Sequence, residues 1–123
     1  ENFICRYPDT GQNRNTMKVN IKEALNRLKA KLAENFGAGT ELVLFGSTAR
    51  GEYREFSDVD VLVLVSQEVN ISLEEQIFDI AFEVGLEYDI VFGVIVYSKG
   101  YWKRPPASVM PLYENIKQEG IRI

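Results

Sequence analysis

The sequence contains no histidine and a single cysteine, Cys5. Zinc sites built from Cys and His are therefore excluded, as are an internal disulfide and nucleophiles of the Ser/His/Asp or Cys/His kind. Any metal must be held by oxygen, which points to a hard cation such as Mg2+ or Mn2+. Apolar runs approaching the roughly 20 residues that span a bilayer are missing, and no charged head precedes an apolar stretch as in a signal peptide. A cytoplasmic location without membrane contact is the expectation. Positive charge is not in excess either: the net charge of −4 argues against sequence-independent binding of nucleic acid, which needs clustered Lys and Arg. Small molecules or proteins are the expected partners. What remains is an ordinary globular composition, 46% hydrophobic and 26% charged over 123 residues, sufficient for one core and one domain.

Residues 1–16 carry Pro8, Gly11 and a polar stretch from Gln12 to Asn15 without sustained periodicity, and read as an N-terminal extension. Met17 is a candidate start, and 17–123 is the expected domain. Ile21, Leu25, Leu28, Leu32 and Phe36 recur at helical spacing, so a helix is predicted from Asn20, capped by Asn20 with Glu23 and stopped at Gly37. Residues 41–45 read as a strand that runs into a segment of small residues, 46–51. The near-continuous Val and Leu of 58–65 predict a strand covered on both faces. A second helix is expected from Ser72, capped with Glu75, with Leu73, Ile77, Ile80, Ala81 and Val84 inward and Gly85 at its end. Residues 88–97 form the third predicted strand. A last helix is expected at 109–119, with Pro111 in its first turn and Gly120 beyond it. This order predicts an α/β or α+β fold, a small mixed sheet flanked by helices.

The informative stretch is Gly46 and Ser47, ten intervening residues, then Asp58, Val59 and Asp60. Alternation along a strand puts Asp58 and Asp60 on one face with Cα atoms about 7 Å apart, within reach of one metal ion or a pair. Two carboxylates side by side gain nothing in a strand of Val and Leu unless a cation compensates them. Gly46 lets backbone N–H groups approach phosphate oxygens, Ser47 adds a hydroxyl, and Arg50 could reach a phosphate or an acid in the same site. Two metals and deprotonation of an attacking hydroxyl require a third carboxylate. Asp89 on the third predicted strand is the best placed, with Glu87 on the same alternation as the fallback. Tyr97, Tyr101 and Trp102 read as packing under a loop ahead of a partner-facing patch, and Lys103 and Arg104 as a solvated loop.

The run Leu44-Phe45-Gly46-Ser47-Thr48-Ala49-Arg50-Gly51, followed by Ser57-Asp58-Val59-Asp60, resembles the signature of the DNA polymerase beta-like nucleotidyltransferase superfamily. More narrowly, it resembles the minimal nucleotidyltransferases of bacteria and archaea. The similarity covers about residues 20–123, including Asp89 and the closing segment 115–120. It implies that Gly46 and Ser47 hold the triphosphate of ATP or another NTP, that Asp58 and Asp60 bind Mg2+, with two ions expected, and that Asp89 completes the metal site and acts as general base. A core this short leaves little chain for an acceptor domain, so a partner protein or a second copy, as a homo-oligomer, is expected to help build the acceptor site. The resemblance further implies a helical partner of the HEPN class, a toxin whose tyrosine hydroxyl is adenylylated by this chain as antitoxin. Two other functions fit the same residues. One is a nucleotide-binding interaction module without turnover; the other is a small-molecule transferase resembling the aminoglycoside-modifying enzymes.

Overall fold

A computed structural model describes residues 12–52 and 58–123, residues 12–19 through their backbone alone. The chain runs α1 (Gln12–Phe36), β1 (Glu41–Phe45), α2 (Gly46–Ala49), β2 (Val59–Val65), α3 (Ile71–Tyr88), β3 (Phe92–Ser98), α4 (Lys99–Trp102), a 3-10 turn (Ala107–Val109), α5 (Pro111–Glu119) and β4 (Ile121–Arg122). The four strands form one mixed sheet in the order β3-β2-β1-β4. β1 pairs antiparallel with β2 and β4, whereas β2 and β3 are parallel, joined by the α3 crossover. The expected α+β sheet flanked by helices is the architecture observed.

Alternation in β2 sorts the core into two layers. Val59, Val61, Val63 and Val65 share one cluster with Ile21, Leu25, Leu28 and Leu32 of α1 and Ile77, Ala81 and Val84 of α3. Leu62 and Leu64 face the opposite layer with Phe45, Trp102, Ala107 and Ile116. β2 is thus buried on both faces, which accounts for its unbroken apolar sequence. Asp60 shares the parity of Leu62 and Leu64, so it belongs to the face on which α4 and α5 pack.

Four local expectations need correction. α1 begins at Gln12, so Asn20 lies within the helix and is not its cap; residues 12–16 are helical, and residues 1–11 lie outside the described part. α3 is capped by Asn70, whose side chain accepts the Leu73 N–H at 2.8 Å, not by Ser72. Gly85 does not end α3: it is buried within the helix, which continues to Tyr88 and stops at Asp89 in the left-handed conformation, φ 58° and ψ 46°. Consequently β3 begins at Phe92, and neither Glu87 nor Asp89 is on a strand. Asp is one of the few residues other than Gly that adopts this conformation readily, which is why a glycine-based stop signal pointed four residues too early. Tyr97 and Trp102 pack as expected, their rings 5.1 Å apart and those of Trp102 and Tyr113 4.9 Å, whereas Tyr101 stacks on Tyr97 at 5.6 Å but stays exposed.

Candidate active site

The first strand delivers Phe45 opposite Asp60 of β2, and Asp60 in turn lies opposite Gly93 of β3. Gly46, the next residue after Phe45, has φ +77°, a turn that a side chain would resist. A Cβ at Gly46 would fall on Oδ2 of Asp60, and a Cβ at Gly93 would come within 2.8 Å of Oδ1. The carboxylate therefore fills a slot between Gly46, which opens the turn after β1, and Gly93 of β3. The same Cβ at Gly93 would lie 3.7 Å from Oδ2 of Asp58, so both acids reach one point in space. Asp58 precedes β2 and is exposed, while Asp60 is partly buried.

Burial pushes the Asp60 carboxyl above its ordinary value of 3.8, the Asp58 carboxylate adds to the rise, and the Arg50 guanidinium opposes it. Two acids held together, with only the Arg50 guanidinium opposing their repulsion, are a natural site for a hard divalent cation, and their all-oxygen character fits Mg2+. Arg50 follows the single turn of α2; its guanidinium meets the carboxylates of Glu52 at 3.3 Å and Glu119 at 3.1 Å, and these, Glu119 first, raise its pKa further above the ordinary guanidinium value. Ser47 sits at the same turn, its carbonyl accepting the Glu52 N–H at 2.8 Å. Ser57 lies outside the described residues.

Gly46, Arg50, Asp58 and Asp60 are thus brought together, with Ser47 adjoining. Asp89 is not: as the C-terminal residue of the α3 turn it lines a cavity of about 680 Å³ with Phe78, Phe82, Leu86 and Val91. Among the described residues no three acidic side chains form a metal-binding group. Glu87 projects from α3 and pairs with Arg27 at 3.7 Å. Two residues of the site were missed from sequence. Gly93 could have been found as the one glycine interrupting an apolar strand, a mark of close approach. Glu119 carried no signal beyond its place in the closing segment.

The profile of the nucleotidyltransferase domain family matches residues 25–121. The chain belongs to this family. Three proteins of Methanocaldococcus jannaschii that bear the provisional name protein adenylyltransferase are similar to the domain. MJ0604 is 31% identical over 81% of this chain and 90% of its own length. MJ0141 is 47% identical over 47% of this chain and 59% of its own length, and MJ1215 is 46% identical over 35% and 49%. The matched stretches therefore span only about half of two of these relatives. A crystal structure of a toxin–antitoxin with AMP-PNP shares the fold, with a TM-score of 0.51 and 22% identity over 80% of this chain and 72% of that one. No helix of the described residues is long and apolar enough to cross a membrane.

The Asp60 shift gives the site a pH signature. Folded Asp60 binds its proton more tightly than the unfolded chain does, so the folded state carries more protons between pH 3.8 and the raised value. Stability falls as pH rises through that window, and the cost is full above it and absent below it. Thermal melting of wild type against Asp60→Asn is expected to show this loss in wild type alone. Adding Mg2+ at neutral pH should then raise the melting temperature of wild type more than that of the variant.

Proposed function

We infer that the protein is a Mg2+-dependent protein adenylyltransferase that moves AMP from ATP onto a hydroxyl of a partner protein. The observation that carries this reading is the Asp60 carboxylate, seated between Gly46 and Gly93 beside Asp58, one residue pair away from a Gly/Ser turn that ends in Arg50. Asp58 and Asp60 would hold Mg2+, which when bound neutralises charge growing on the phosphate oxygens. The Gly46 N–H and the Arg50 guanidinium bind phosphate oxygens and fix the α-phosphorus for in-line attack with loss of pyrophosphate. Asp58, the more exposed of the two acids, would accept the proton of the incoming hydroxyl. Asp89 takes no part in this scheme.

The acceptor we favour is a tyrosine of a helical HEPN-type toxin, with this chain as the antitoxin. The names of the similar archaeal proteins and the toxin–antitoxin nature of the structural relative support it. The test is incubation of the protein with ATP labelled at the α-phosphate, Mg2+ and a HEPN-type toxin of the same genome. Label on a toxin tyrosine is expected, and it should disappear in Asp60→Asn. A stable complex that blocks the toxin without incorporating label would replace catalysis by a binding-only role.

A further inference from the structure

The end of α5 brings into the phosphate cradle a side chain that the Gly/Ser and Asp motif does not contain. Oε2 of Glu119 accepts the Gly46 N–H at 3.1 Å, and its two oxygens lie 3.1 and 3.2 Å from Nη1 of Arg50. The two donors assigned above to phosphate oxygens therefore carry a carboxylate of the chain itself. Carboxylate and phosphate seek the same donors, and both make short, charge-assisted hydrogen bonds. A single N–H donates well to one anionic oxygen at a time, so a triphosphate that uses Gly46 must displace Glu119.

Fixed elements deliver this carboxylate. Ile116 anchors α5 in the second core layer, and beyond Gly120 the chain turns into β4, where Ile121 pairs with Leu44. The backbone of Ile123 donates to Leu42 O at 2.9 Å, and its carbonyl accepts Lys29 Nζ at 2.8 Å. The Glu119 side chain is 25% exposed, at the edge of the turn and partly shielded from water.

We propose that Glu119 sets the nucleotide affinity of the site by competing with the triphosphate for the Gly46 N–H and Arg50; this rests on the nucleotidyltransferase reading. A ligand gains these donors only by bringing enough anionic oxygens to replace the carboxylate. Glu119→Gln retains the size and removes the charge, and Glu119→Ala removes both. Titration calorimetry with Mg2+–ATP and with Mg2+–tripolyphosphate compares both variants with wild type, each checked for its fold by circular dichroism.

The expected result is binding about threefold to tenfold tighter in the variants, the range set by one charge-assisted hydrogen bond partly screened by solvent. The gain should be similar for ATP and tripolyphosphate, because the competition concerns phosphate and not the base. Saturable ATP binding by wild type with equal or weaker binding in the folded variants overturns the proposal and makes Glu119 an anchor for α5. A gain confined to ATP overturns it as well. If Glu119→Ala does not fold, Glu119→Gln alone decides. Absence of saturable binding in wild type and variants alike removes the nucleotidyltransferase reading and this inference with it.

Discussion

Asp60→Asn is expected to slow AMP transfer about a thousandfold while leaving the protein folded and at least as stable at neutral pH. The loss follows from geometry. Asp60 is the carboxylate fixed by strand pairing on both sides, to Phe45 of β1 and Gly93 of β3, and it would share the metal with Asp58. Asn keeps the shape but not the charge, so the fold has no reason to fail. Stability gains because burial and the neighbouring Asp58 both disfavour the charged form of Asp60. Transfer of labelled AMP and a thermal melt on the same preparation check both halves. Asp89→Asn provides the contrast: it alters a left-handed helix end where Asn is well tolerated, and transfer should stay near wild type. Loss of transfer in Asp89→Asn comparable to that in Asp60→Asn would show that this carboxylate joins the site during turnover.

The second large effect is expected from Gly46→Ala. Two independent costs coincide at that position. The backbone is left-handed, φ +77°, which for a residue with a Cβ costs about 1–2 kcal/mol. The new methyl group also falls on Oδ2 of Asp60, so either the turn or the carboxylate has to move. Displacement of a reacting group by about 1 Å costs on the order of a hundredfold in rate, and we expect a fall in transfer of that size, with a stability loss of about 2 kcal/mol by denaturant unfolding. Shortening the obstructing side chain should recover part of the stability. In an Asp60→Ala background Gly46→Ala is expected to cost less than it does alone, and strict additivity in that double-mutant cycle would show that the two residues do not collide.

Most of the fold was legible because its signals are periodic. The α1 stripe, the doubly covered β2 and the inward face of α3 each follow from apolar spacing; most of these residues are buried, while Phe36, Leu73 and Ile80 at the edges are partly buried against them. The proximity of Gly46, Arg50, Asp58 and Asp60 was legible from their order around a strand, a turn and a second strand. The third carboxylate was misplaced for a local reason. Asp89 looks like a strand residue when helix α3 is stopped at Gly85, but the left-handed position that ends α3 is Asp89 itself. Shifting the start of β3 to Phe92 changes which residue faces Asp60, and that residue is Gly93. A pairing register between strands separated by an 18-residue helix is a tertiary property, invisible to any window along the chain. The Glu119 contact was hidden for the same reason, since it joins residues 73 positions apart.

The parallel pairing of β2 with β3 ties the centre to a long-range closure of the chain. Parallel neighbours can meet only after the intervening crossover has formed, and long-range closures of that kind come late in folding. One wall of the Asp60 slot is therefore missing from any intermediate that holds only the β1–β2 hairpin. In such an intermediate the two acids repel each other without the Gly93 wall, so the proposed cation site would be complete only once β3 has docked, and cation binding would report on that step.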